Sequence, residues 1–470
     1  MKTPLLDALI NLMNEDHVSF HFPGHKNKNT LIEWGKLIPY IDTTETDGMD
    51  NLLEPRGIIK ESQELAAKVF GAKATLYAVN GSTGSNYIAM ATVTKPGDKV
   101  LVQRNCHKSI YNGMILNRLN PIYLYPNYND EYHILTGLYP EDIERAIIEN
   151  PDIKAVIITS PNYYGVCSDI EEIVRIVHKY NKFLIVDEAH GAHMVFSDKA
   201  PVSAIQAGAD IVVHSTHKTL PSFTQTSMIH VGSDKVDLNK LRDRYTLFTT
   251  TSPSYIFTLS NEIAAAYMDR EGREKLSQNI DILDRVIKKL NAIDRVFVFT
   301  GDKNDLTIHD KDKTKLLFRI DGIKGSKVKR ILRERYNIRL EMSDYYYGLA
   351  LTTVMNDEED FDKLILAIED IAKTEAYEEL NDVCVKMPTP IMRMKIADSY
   401  YAGKEVVDLK DSIGRISATS IIPYPPGIPL VVPGEEITKE LYEHILFIME
   451  NGLEIVGLMG YNKDQIVVIE

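Results

Sequence analysis

Between residues 75 and 231 the chain repeats one pattern: a short, nearly continuous apolar run, a polar cluster, then a stretch with helical spacing. The runs span residues 75–79, 99–103, 121–125, 155–159, 183–186, 211–214 and 228–231. Apolar side chains on both faces of a strand mean that both faces are covered. Strands that alternate with helical stretches, such as residues 169–180, build crossover units around a parallel sheet. The expected fold is therefore α/β with a mostly parallel central sheet. In such sheets ligands bind beyond the carboxyl ends of the strands. The polar clusters that close these runs are thus the places to look for chemistry.

Three regions are expected: an amino-terminal arm (1–55), a large domain (56–294) and a smaller α+β carboxy-terminal domain (295–470). The arm holds a short amphipathic run and then His21-Phe22-Pro23-Gly24-His25-Lys26. A long helical stretch over 261–293, broken near Gly272, leads into the last region. There the spacing predicts strands at 295–299, 315–320 and 465–469, and helices at 327–336, 360–373 and 438–451. Residues 423–429 form a proline-rich, stiff, extended loop.

A formal net charge of -14 lacks the basic footprint of a nucleic-acid binder. Cys106, Cys167 and Cys384 lie far apart, with neither zinc spacing nor a disulfide framework, which suits a reducing cytoplasm. No leader pattern opens the sequence, and no run reaches the roughly 18 apolar residues of a membrane span.

Lys218 closes the run 211–214 within Ser215-Thr216-His217-Lys218, and Asp187 closes the run 183–186 within Asp187-Glu188-Ala189-His190-Gly191. A lysine and an acid at neighbouring strand ends suit pyridoxal 5'-phosphate (PLP). The amine carries the cofactor aldehyde, and the carboxylate keeps the pyridine nitrogen protonated. Each alone reads equally well as a surface lysine and a helix cap. Ser215 and His217 can donate to a phosphate. So can the turn Asn80-Gly81-Ser82-Thr83-Gly84-Ser85-Asn86, where small residues open backbone N–H groups at a helix start. His107, after the run 99–103, can stack on a cofactor ring. The Asp-Glu-Ala-His string also spells a helicase box, but no Walker A loop accompanies it. The pairs His21/His25, His190/His193 and His214/His217 lack a metalloprotease motif, and no metal site is expected.

Together these motifs resemble the ornithine/lysine/arginine decarboxylase family of PLP enzymes, on the aspartate-aminotransferase fold (fold type I). The likeness spans nearly the whole chain. It runs through His21 to Lys26, Pro55 to Lys60, Asn105 to Ser109, Asp187 to Gly191, Ser215 to Lys218 with Gln225, and Pro425 to Pro429 followed by Pro433-Gly434-Glu435. The resemblance implies Lys218 as the cofactor lysine, Asp187 as the nitrogen partner and His107 as the ring stacker. It implies Ser82, Thr83, Gly84, Ser215 and His217 as phosphate ligands. It also implies a homodimer with the site at the interface, where Thr251 and Ser252 reach the partner's cofactor. The extra amino-terminal domain of the long members has no counterpart before residue 21, so the chain resembles the short members, mostly arginine or lysine decarboxylases.

The expected reaction is α-decarboxylation of a cationic amino acid. Arginine is the first choice, with lysine or ornithine as alternatives, and either Lys218 or His217 as the proton donor to Cα. Glu435, after the proline loop, is the candidate acid for the substrate's cationic tail. An aminotransferase, with Arg415 as a carboxylate clamp, and a non-catalytic regulator are the rival readings.

Overall fold

The computed structural model describes residues 14–28, 33–380, 390–424, 428–450 and 454–470. The amphipathic run before residue 14, Cys384, and Pro425 to Gly427 of the proline loop lie outside them. The arm contributes one short strand, β1 (Val18–Phe20). The large domain follows with β2 (Ala74–Ala78), α1 (Gly81–Val93), β3 (Lys99–Gln103), α2 (Lys108–Leu116), β4 (Asn120–Leu124), β5 (Ile153–Thr159), β6 (Phe183–Asp187), β7 (Ile211–His214) and β8 (Ser227–Val231). These strands form one seven-stranded sheet in the order β2-β8-β7-β6-β5-β3-β4. All pairings are parallel except those made by β8, which runs against both β7 and β2. The mostly parallel sheet expected from the apolar runs is present.

Those runs are apolar because the sheet is covered on both sides. Ile185, Val186, Val212 and Val213 have no exposed surface. Each such side chain contributes roughly 1.5–3 kcal/mol by leaving water. The parallel register sets Asp187 beside Val213 and Thr159, so the ends of β5, β6 and β7 open on one edge.

The long helical stretch is two helices, α3 (Tyr255–Tyr267) and α4 (Arg273–Asn291), joined by a π turn at Met268–Gly272. Gly272 belongs there because a Cβ would lie 2.4 Å from the Met268 sulfur.

Beyond α4 come β9 (Val296–Phe299), β10 (Lys315–Ile320), α5 (Gly325–Tyr336), β11 (Ile338–Leu340), β12 (Met342–Ser343), β13 (Gly348–Leu351) and α6 (Glu358–Thr374). β9, β10, β13 and β12 make an antiparallel sheet in that order, packed on α4, α5 and α6. Helix α6 starts two residues before the predicted boundary because Asp357 caps it, exchanging hydrogen bonds with Asp360. The arm is part of this layer: β1 pairs in parallel with β11, and Phe20 is fully buried in the same core.

Buried residues of the carboxy-terminal domain expected over 295–470 enter three clusters: the one just described, a second around Phe299, Leu317, Tyr347 and Leu349, and a third from Leu409 to Val468. The third is built by α7 (Lys439–Glu450) and by the pairing of residues 404–408 with the final strand, 465–469. Phe447 of α7 packs on the second and the third alike.

Candidate active site

The phosphate turn follows from local geometry. Gly81 adopts φ +62°, a left-handed conformation that costs glycine nothing, and so turns β2 sharply into α1. Gln225 fixes the turn from above: its carbonyl accepts from Gly81 N–H at 2.8 Å, and its side chain donates to the Val79 carbonyl at 2.8 Å. Asn80 makes no side-chain cap and no acid occupies the first turn of α1; Gly81 N–H is taken by Gln225 and Gly84 N–H by the Asn80 carbonyl at 3.2 Å, which leaves the Ser82 and Thr83 amides of this 13-residue helix open to an anion. Ser82 and Thr83 are half-buried there. The Ser215 hydroxyl donates to Ser82 Oγ at 2.7 Å, joining the turn to the loop after β7.

His217 stands in the same loop, and its Nδ1 lies 2.7 Å from the Thr226 carbonyl. A carbonyl only accepts, so the ring proton is on Nδ1 and Nε2 carries a lone pair. Burial brings its pKa down to about 4. As a neutral ring it offers a phosphate an acceptor nitrogen and no donor. It donates only if the anion draws a second proton onto Nε2.

Asp187 is 2 % exposed. Its Oδ2 accepts from Asn86 Nδ2 at 3.0 Å and its Oδ1 from Ala189 N–H at 3.2 Å. Burial raises its pKa, opposed by the nearby Lys218 charge and by these hydrogen bonds. Asn86 also donates to Ser109 Oγ at 3.0 Å, and Ser109 bonds His107 Nδ1 through both its hydroxyl (2.9 Å) and its N–H (3.2 Å). One chain, His107–Ser109–Asn86–Asp187, thus fixes both the His107 ring and the Asp187 carboxylate. Burial, followed by the charges of Lys218 and Lys108, brings the His107 pKa to about 3, so it presents a neutral ring.

Lys218 Nζ lies 3.0 Å from His190 Nε2 and 5.3 Å from the centre of the Phe22 ring. Burial lowers its pKa, opposed by Asp187 and Glu341. The arm signature holds this lysine loop in place. Gly24 N–H donates to the His217 carbonyl at 2.7 Å, and a Cβ on Gly24 would stand 2.4 Å from the Leu220 carbonyl oxygen. Lys26, fully buried with its pKa brought to about 7 by desolvation, ties the arm together through the carbonyls of His21 and Leu351.

The structure brings Ser82, Thr83, Gly84, His107, Asp187, Ser215, His217 and Lys218 to one edge of the sheet. Glu435 is already paired. It is 1 % exposed and bonds Arg104 Nη2 at 2.9 Å and Val432 N–H at 2.8 Å. Burial raises its pKa while Arg104 opposes the shift. Both bonds fall on Oε2, and through them Glu435 locks the carboxy-terminal core to the end of β3. Arg415 likewise bonds Glu405 and the Ile469 carbonyl, within the carboxy-terminal unit. Asn86, Ser109 and His190 are site residues that pattern reasoning passed over. Asn86 and His190 stand inside quoted motifs, but their partners lie more than a hundred residues away or across a sheet edge.

These side chains fit PLP: a buried acid for a pyridinium, a neutral imidazole anchored beside it, a desolvated lysine, and a hydroxyl-lined helix start. Among the described residues no cluster suits a metal ion, and no helix is long and apolar enough to cross a membrane.

The profile of the Orn/Lys/Arg decarboxylase major domain matches residues 3–312, and that of the Orn/Lys/Arg decarboxylase C-terminal domain matches residues 377–458. An arginine decarboxylase of Bacillus subtilis is 34% identical over 467 residues, covering 97% of this chain and 95% of that one. The inducible lysine decarboxylase of Escherichia coli K12 is 26% identical over 568 residues, covering 97% and 78%. Among solved structures, a lysine decarboxylase of Francisella novicida superposes with a TM-score of 0.80 at 21% identity, over 99% of this chain and 81% of that one.

Proposed function

The chain belongs to the Orn/Lys/Arg decarboxylase family, and from that premise we propose that it holds PLP and decarboxylates arginine to agmatine. The observation that supports the chemistry is the convergence of Lys218, Asp187 and His107, three residues from three different strand ends, with Asn86 tying the last two. The choice of arginine is supported by the relative with 34% identity over almost the full length of both chains.

When bound, PLP supplies the electron sink for the bond that breaks. The chain's own residues do the rest. Asp187 holds the proton on the ring nitrogen, and Asn86 and Ala189 N–H keep its carboxylate aimed. Ser82, Thr83 and Ser215 would hold the phosphate, with His217 joining them once Nε2 is protonated. Lys218 would bind the aldehyde. His107 covers the ring, while Phe22 and Tyr163 close over His190 and exclude water from the lysine. This is fixed orientation plus preorganised charge. His217 Nδ1 is tied to Thr226, which favours Lys218 as the group that returns a proton to Cα.

With Glu435 committed to Arg104, Glu341 is the acid we assign to the substrate's cationic tail. Its charge acts on Lys218, and Tyr163 O–H (2.6 Å) and Phe22 N–H (2.9 Å) hold its two oxygens. The enzyme is further read as a cytoplasmic homodimer. Free, buried Cys106 and Cys167 support the first point, and the exposed Thr251 and Ser252 support the second.

The test is to supply PLP-loaded protein with arginine, lysine and ornithine separately and identify the amine by mass. Agmatine from arginine, with kcat/KM well above that for cadaverine or putrescine formation, is expected. Preference for lysine would move the assignment within the family. No amine from any of the three would remove it.

A further inference from the structure

Lys315, the first residue of β10, is a cation only 1 % exposed that none of the roles above uses. Its Nζ lies 3.1 Å from His190 Nδ1 and 3.5 Å from the His190 carbonyl. The other ring nitrogen of His190 lies 3.0 Å from Lys218 Nζ. One imidazole therefore bridges two amines, Lys315 buried and Lys218 half-buried. Burial, then the charges of Lys218 and Lys315, hold His190 well below the ordinary imidazole range, so it is neutral.

A neutral imidazole has one N–H donor and one acceptor nitrogen, whereas an ammonium group only donates. Two ammonium groups therefore cannot both bond to it, and one amine must be uncharged and accept the ring N–H. Two arrangements satisfy the bridge. In one, the Lys218 ammonium donates to Nε2 and Nδ1–H donates to the Lys315 amine. In the other, the Lys315 ammonium donates to Nδ1 and Nε2–H donates to the Lys218 amine. They hold the same number of protons and differ in the places of two, a net shift of one charge from Lys218 to Lys315. An N–H bond breaks at Lys218 and forms at Nε2, while another breaks at Nδ1 and forms at Lys315. No other reactant is consumed.

We propose that Lys315 stores the proton that Lys218 must shed before it attacks the cofactor aldehyde, with His190 as the relay between them. This rests on Lys218 being the cofactor lysine. Lys315 acts through His190 and is a positioning residue. The surroundings support an even exchange. Asp187 and Glu341 favour a charged Lys218, as does the Phe22 ring beneath it. Asp312 and Glu341 favour a charged Lys315, while burial and Lys218 oppose this and bring its pKa to about 8. Lys26 adds a like charge on the same side. His107 and His217 also face His190, and burial keeps both neutral.

The experiment follows covalent capture of PLP by the apoenzyme. The rate at which the visible band of lysine-bound cofactor appears is measured from neutral to alkaline pH. In Lys315→Met the proton has no internal destination, so the midpoint of the rate profile moves up by about one pH unit. That makes capture about tenfold slower at neutral pH, with the alkaline plateau unchanged. His190→Gln keeps polar ends but cannot exchange a proton between them, and gives the same shift. The double variant shifts no further, because both changes cut one bridge. A lowered plateau with an unmoved midpoint would reveal a merely structural role and overturn the relay. So would a shift in Lys315→Met that His190→Gln does not share, which would be a field effect. Should Lys315→Met fail to fold, His190→Gln decides alone, an unmoved midpoint being the overturning result. Borohydride trapping separates the layers. A pyridoxyl group on any residue other than Lys218 overturns the cofactor assignment and the relay with it. One on Lys218 with an unmoved midpoint overturns the relay alone.

Discussion

Replacing Glu435 with alanine tests the reassignment of that residue from substrate ligand to internal lock. Arg104 and Glu435 are each 1 % exposed. The guanidinium also donates to the carbonyls of Pro429 (2.9 Å) and Leu430 (3.1 Å) and to Tyr111. Alanine would leave one Nη2 hydrogen and the Val432 N–H without acceptors. Each orphaned buried donor costs about 1–3 kcal/mol. Treated as one broken buried ion pair, the loss is about 3–5 kcal/mol, in agreement. Glu435→Gln keeps an acceptor oxygen for Val432 and loses the charge, so it should cost less than alanine. The assay is urea unfolding followed by circular dichroism, alongside arginine KM. The expected result is a marked fall in the unfolding midpoint for alanine, a smaller one for glutamine, and a nearly unchanged KM in the glutamine variant. An unmoved midpoint with KM raised tenfold or more would refute the lock and restore Glu435 as a substrate acid.

Asp187→Asn should leave covalent capture of PLP by Lys218 intact, seen by absorbance, while kcat falls by about 10²–10³, the scale for removing one preorganised electrostatic group. Gly24→Ala should destabilise the lysine loop by about 1–3 kcal/mol, because the new Cβ meets the Leu220 carbonyl; thermal unfolding with and without PLP measures it. Glu188 is buried against Ser203, Ala204 N–H and neutral His214, and burial raises its pKa from 4.5 to about 8. A folded-state pKa above the unfolded value gives stability that is whole below about pH 4.5 and lost as pH rises through about 8. Thermal unfolding of the wild type against pH should fall across that window, and Glu188→Gln should flatten the slope.

The large-domain strands were legible because coverage on both faces writes itself as unbroken apolar runs; β3 and β7 match their predicted spans residue for residue. Lys218, Asp187 and His107 were legible because strand ends carry the chemistry in such sheets. What joins them was not. Asn86 and Asp187 are 101 residues apart, and His190 and Lys315 are 125 apart, so no local pattern pairs them. Glu435 shows the same limit. The proline-rich stretch before it suggests a rigid presented acid, and only the tertiary structure shows Arg104, 331 residues upstream, already holding it. The arm was visible as a motif, but not its two contacts: pairing of β1 with β11 and the seat of Gly24 on the lysine loop.

The central claim is that this site breaks the bond from Cα to the carboxylate and puts a proton in its place. Turnover of arginine in D₂O by the PLP-loaded enzyme, with both product and recovered substrate read by mass, tests it most directly. The account predicts agmatine carrying a single non-exchangeable deuterium and recovered arginine carrying none. Deuterium in recovered arginine, or a keto acid in place of the amine, would mean that the Cα–H bond is the one broken, and would contradict it.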